Sequence, residues 1–159
     1  MTGDLRVWRF MRMKARGLEK AQGFSLIELM IVCAIISILA AIAIPGLLSS
    51  LDKSKQVSTL ALLRSYSSAL EIYNADNITY PVTTDMNQLV EVLKPFSETL
   101  RTDDEWGHSL HYEVTTGADY TIRSYGKDGI PGAYVTPQTR YVFELDLGVS
   151  NGQITGGVE

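Results

Sequence analysis

At 159 residues the chain has room for one modest domain plus one long appended element. Its net charge of −4 is unevenly held: the first 23 residues carry six basic side chains (Arg6, Arg9, Arg12, Lys14, Arg16, Lys20) against Asp4 and Glu19, a net +4, which leaves −8 for the rest. An acidic body excludes nucleic acid as a partner, because phosphate contacts need clustered Lys and Arg, and the single cysteine, Cys33, excludes an intramolecular disulfide and any Cys-based metal motif.

The basic first segment, residues 1–23, fits the cytoplasmic side of a membrane. From Leu29 to Leu51 there are 23 residues without a charge, mostly Ile, Leu, Ala and Val. At ~1.5 Å rise per residue such a helix reaches ~30 Å, the thickness of a bilayer core. A secretory signal would have an apolar core of only ~7–15 residues ending in a small-residue cleavage site. Here the run is longer, and helical pattern continues past it. Cys33 reads as a small residue packed among aliphatic ones.

Glu28 stands just ahead of this run. A carboxylate at membrane depth costs about 2.5–3.5 kcal/mol on insertion scales, so an intramembrane Glu is a functional-site hypothesis by default.

Beyond the run, Val57, Leu60, Leu63, Tyr66, Leu70 and Tyr73 recur at spacings of three and four, which predicts an amphipathic helix with one apolar stripe. One helix is therefore expected from about Leu26 to about Asn74. Pro45-Gly46 falls at its changeover, where the lost backbone bond predicts a kink or local loosening. "NADNITYPVTTD" (Asn74 to Asp85) is turn chemistry. Asp85 with Gln88 three residues on predicts a capping box for a short helix, about Met86 to Leu93, that stops at Pro95.

After Pro95 the period changes to two. Leu110, Tyr112 and Val114 alternate with polar neighbours, as do Tyr120 and Ile122, and then Tyr141, Phe143, Leu145 and Leu147. Gly117, Gly126, Gly129 and Gly132 mark the turns, so an antiparallel sheet of three or four strands is expected. Its apolar face and the helical stripe can cover each other, through Leu63, Tyr66, Leu70, Ile122 and Phe143, which makes the fold α+β. The acidic run Asp103, Asp104, Glu105 reads as a solvated loop, and His108 and His111 as surface histidines rather than metal ligands. No nucleophile motif, phosphate loop or paired-carboxylate arrangement stands out, so nothing points to an enzyme.

These residues carry a resemblance. "KAQG" followed by "FSLIELMIVCAIISILAAIAIP" resembles the cleavage and assembly signature of type IV pilins and of the type II secretion pseudopilins: a basic leader ending in Gly23, then Phe24, Ser25, Leu26, Ile27, Glu28 and an aliphatic helix. "DEWGHSLHYEV" and "DYTIRSYGKDGIPG" resemble the major pseudopilin, and the single Cys33 is at odds with the disulfide-closed loop of many type IV pilins. The resemblance implies a pilin-like fold and three parts: a leader over 1–23 that is removed, a transmembrane and assembly half of the long helix over 24–51, and a periplasmic globular domain over 52–159. It implies cleavage between Gly23 and Phe24 and N-methylation of Phe24. The new Phe24 amine of one subunit would then pair with Glu28 of a neighbour, two charges that are tolerable at depth only together. Implied partners are further copies of the chain, minor pseudopilins, a prepilin peptidase and methyltransferase, and an inner-membrane assembly platform.

The resemblance also implies a calcium site after the Asp-Gly of the second strand. Asp128 matches its first aspartate, but the downstream acidic positions are Thr, Pro, Gln and Arg. Calcium takes six to eight oxygens, so an ordinary Asp128-Gly129 turn is expected, with Ca2+ the candidate ligand. The expected function is a structural subunit of a type II secretion pseudopilus. A type IV or competence pilus subunit is the alternative, and a membrane-tethered enzyme or a binding module would belong to other classes.

Overall fold

The computed structural model describes residues 23–156. The leader residues before Gly23 lie outside that range. In chain order the elements are α1 (Leu26–Asn77), α2 (Met86–Leu93), β1 (His111–Thr115), β2 (Asp119–Ser124), β3 (Leu147–Ser150) and β4 (Gln153–Gly156). The chain divides into two units between Ile42 and Ala43, inside α1. The first unit holds the start of α1, and the second holds its remainder with α2 and the sheet.

In the second unit the four strands form one antiparallel sheet in the order β1-β2-β3-β4. The register sets Tyr112 opposite Ile122, Val114 opposite Tyr120, and Ile122 opposite Val149. With a side-chain period of two, these positions share one face. They meet Leu63, Tyr66 and Leu70 of α1 and Leu89 and Leu93 of α2 in a single core. Each fully buried leucine there contributes roughly 1.5–3 kcal/mol relative to exposure. The helix stripe and the sheet thus cover one another as the two periodicities require.

Four details depart from the sequence reading. Val57 is 60% exposed and Gln56 is buried in its stead. Positions 56, 59, 60 and 63 share a helix face, and Val57 lies about 100° round from Gln56. The chain from Tyr141 to Leu145 is turn rather than strand, and the third strand begins only at Leu147. Its main-chain bonds form no strand ladder: Val142 N–H donates to Thr139 O at 2.9 Å and Lys127 N–H to Phe143 O at 2.7 Å, while the following Asp146 exchanges bonds with Ala133 and Val135. Phe143 is buried, but outside the main core. The turn is tight enough that a Cβ on Gly126, at φ 70°, would lie 2.6 Å from Leu145 O.

The third departure is β4, joined to β3 by Asn151-Gly152 with both residues at positive φ (46° and 77°), a type I′ hairpin turn. The fourth is the start of α2. Asp85 caps it by accepting from Asn87 N–H at 2.9 Å, but Gln88 does not close a capping box. Thr83 takes that role, accepting from Asp85 N–H and donating to Gln88.

Candidate functional site: the amino-terminal helix and its anchorage

Gly23, Phe24 and Ser25 precede the helix, and Phe24 is 79% exposed. Ser25 is the capping residue just ahead of α1. Its carbonyl accepts the first helical bond, from Leu29 N–H at 3.2 Å. Its Oγ accepts from Glu28 N–H at 3.2 Å, while Glu28 Oε2 accepts from Ser25 N–H at 2.8 Å. Two of the donors a helix start leaves unpaired are satisfied reciprocally, which is a capping box. The Ser-x-x-Glu spacing advertised it. Glu28 is therefore held at the helix start by its own chain.

From Gly23 to Leu51 every side chain is exposed except the half-buried Ala40. Large apolar side chains such as Ile31, Ile42 and Leu48 find no cover among the described residues. The helix is long and apolar enough to cross a membrane. Two of its hydroxyls are satisfied within the helix, as lipid favours: Ser37 Oγ donates to Cys33 O and Ser50 Oγ to Gly46 O. Helical residues run without interruption through Pro45 and Gly46.

Where charge returns, α1 is tied to the loops beneath the sheet. Lys127 Nζ donates to Asp52 Oδ2 at 2.7 Å, and Trp106 Nε1 to Asp52 Oδ1 at 3.4 Å. The Lys127 hydrogen bond holds the Asp52 carboxyl below its ordinary range and pushes the Lys127 ammonium up. Further along, Thr59 Oγ accepts from Glu105 N–H.

The acidic run is not a solvated loop throughout. Asp104 is 5% exposed and accepts from Trp106 N–H, His108 N–H and the Ser124 hydroxyl. It is a buried acceptor that joins the loop before β1 to the end of β2, and a run of three acids gave no hint of which one turns inward. His108 is half-buried, with Nδ1 3.0 Å from Gly126 O, whereas His111 is exposed and stacks on Tyr125. The two histidines thus have separate partners.

A second buried polar group lies at the other end of the core. Tyr80 and Tyr120 both donate to Glu71, and Tyr120 also reaches Ser67 and accepts from Gly152 N–H. Burial, with Glu71 alongside, pushes the Tyr80 phenol up to about 12.

Asp128 is exposed, and its carboxylate accepts from Ile130 N–H at 3.0 Å, an Asx turn. Asp146, across the loop, is fully buried, and both its oxygens accept from Gly132 N–H at 3.1 Å. Among the described residues no three metal-ligating side chains gather. One exposed and one buried carboxylate, each engaged with backbone, do not make the oxygen-rich cage that calcium takes.

A capped, uncovered apolar helix whose amphipathic continuation packs under a four-stranded antiparallel sheet defines a pilin-like protein. The prokaryotic N-terminal methylation motif matches residues 19–44, which contain Gly23, Phe24 and Glu28. The family described as type II secretion system protein G matches residues 46–139, more than half of the chain. The chain belongs to this family, that of the major pseudopilin. It is similar to type II secretion system core protein G of Vibrio cholerae serotype O1, with 32% identity over 128 residues covering 72% of this chain and 86% of that one. The same protein of Escherichia coli K12 is 30% identical over 130 residues (74% and 89% covered), and that of Pseudomonas aeruginosa 31% over 129 residues (72% and 89%). No solved structure matches the chain.

Proposed function

We propose that the chain is a structural subunit that polymerises from the inner membrane into the pseudopilus of a type II secretion system. Residues 1–23 are its leader, 24–51 its membrane and assembly segment, and 52–159 its periplasmic domain, with the amino terminus cytoplasmic. A prepilin peptidase cuts between Gly23 and Phe24 and the new Phe24 amine is methylated. Pro45 and Gly46 give the helix a bend when subunits pack. The partners are further copies of the chain, minor pseudopilins and an inner-membrane assembly platform, and the role is structural rather than catalytic.

One observation carries this reading: an apolar helix that is left uncovered among the described residues, opened by a carboxylate at Glu28. Lipid can cover the helix before assembly, and neighbouring helices can cover it afterwards. After cleavage the Phe24 amine stands one residue before the Ser25–Glu28 cap. It cannot be left unpaired at depth, and Glu28 of a neighbour is the partner of opposite charge. Mass spectrometry of membrane-extracted protein tests the processing: an N-terminal methyl-Phe at Phe24 is expected, and a mature terminus well beyond Phe24 would contradict the reading.

A further inference from the structure

Four of the eight basic side chains beyond Gly23 belong to one level of the second unit: Lys53 and Lys55 on α1, and Lys127 and Arg140 on the loop between β2 and β3. Tyr141 ties the two elements together. Its ring, 60% exposed, lies 5.8 Å from Lys53 Nζ and 5.2 Å from the Arg140 guanidinium carbon. Trp106, hydrogen-bonded to Asp52, is a second aromatic at this level. Two carboxylates here, Asp52 and Glu144, face Lys127, and Asp128 is turned onto Ile130 N–H. Lys53, Lys55 and Arg140 are exposed and form no ion pair among the described residues. In an otherwise acidic body this is a basic patch with an exposed aromatic at its centre.

Its position gives it a partner. The uncharged run ends at Leu51, and Lys53 is two residues further, about 3 Å along a helix axis. The headgroup layer is roughly 5–7 Å deep on each side of a bilayer. A Tyr flanked by Lys and Arg at that depth is the composition that membrane interfaces select, the ring among the headgroups and the cations on lipid phosphates.

We propose that Lys53, Lys55, Arg140 and Tyr141 form a docking surface for anionic phospholipid headgroups, seating the base of the globular part on the membrane before assembly. Extraction into a filament would have to break this contact as well as withdraw the helix. The proposal rests on the membrane-anchored reading above.

The test uses the full chain in vesicles with spin labels on single cysteines. The native Cys33 reports insertion of the helix. In a Cys33→Ser background, Val142→Cys samples the patch without altering it, and Ile78→Cys, at 88% exposed, samples the far end of α1. In vesicles containing phosphatidylglycerol, the label at 142 should be several-fold less accessible to an aqueous nickel chelate than the label at 78. It should become accessible in purely zwitterionic vesicles, and again on adding Lys53→Glu and Arg140→Glu. A label at 142 as accessible as that at 78, with Cys33 still shielded, would overturn the docking surface alone. Equal shielding in both lipid compositions would overturn recognition of anionic lipid. An accessible Cys33 label would overturn the anchored reading and the docking surface with it.

Discussion

Glu28 Oε2 lies 2.8 Å from the backbone nitrogen of Ser25 in the same chain. The carboxylate that the assembly account assigns to a neighbour is thus already oriented by its own helix start. Oε2 is engaged, and Oε1 forms no hydrogen bond among the described residues. Pre-orientation lowers the entropy lost when a second subunit arrives. Glu28 therefore has, in the assembly account, a second role as a charge, separable from the local cap.

Asp104 should be the most sensitive polar position of the globular part. Asp104→Ala strands two backbone N–H groups and the Ser124 hydroxyl in a buried site, and losses of this kind cost roughly 2–5 kcal/mol. Ser124→Ala removes one of those donors and strands Gly126 N–H, which donates to Ser124 Oγ, and should cost roughly 1–3 kcal/mol. Urea denaturation of a fragment spanning residues 52–159 would measure both. Equal and small effects would show that Asp104 is not the joint between the loops.

That fragment should itself unfold in one cooperative thermal transition, because the core joins the α1 stripe, α2 and the sheet without help from the apolar half. Adding a chelator should leave its melting temperature unchanged. A large drop reversed by calcium would mean that Asp128 and its loop bind the ion after all.

The buried phenols set an alkaline limit. Tyr80 rises from 10.0 to about 12, and Tyr66, Tyr112 and Tyr120 are also pushed up, chiefly by burial. The folded state favours the neutral phenols, so this stabilisation is complete below pH 10 and is lost as pH rises through about 12. Asp52 works in the opposite direction: its carboxyl is lowered, so its contribution is present above 3.8 and fades as pH falls below that value. Absorbance near 295 nm, followed with melting temperature, should show these four tyrosines ionising only together with unfolding. Free titration of all eight tyrosines near pH 10 in a folded protein would contradict the packing.

Much of this was legible in the sequence. α1, β1 and β2 follow from clear periods of 3.6 and 2 and α2 from its Asp85 cap and the stop at Pro95, and Leu63, Tyr66, Leu70 and Ile122 are core residues as their spacing implies. The misread stretch, Tyr141 to Leu145, alternates as a strand does, yet its main chain is spent on a turn bond to Thr139 and on accepting from Lys127 N–H in the loop after β2. Periodicity cannot see such bonds. The hairpin at Asn151-Gly152 and the Ser25–Glu28 cap both carried a recognisable signature. Asp104 did not, because three adjacent acids look alike until the fold selects one to turn inward.

The central claim is that the charge of Glu28, not its capping bond, drives assembly. Glu28→Gln separates the two, since a glutamine amide oxygen can still accept from Ser25 N–H and insertion becomes cheaper. The variant should be inserted, cleaved at Gly23 and present at normal level. Each incoming Phe24 amine, however, would be buried without a counter-charge, at about 3–5 kcal/mol, enough to weaken each addition by on the order of 100-fold or more. The measurement is secretion and filament formation in cells lacking any other copy of the subunit. The account predicts processed protein with neither filaments nor secretion, and normal filaments from processed Glu28→Gln protein would contradict it.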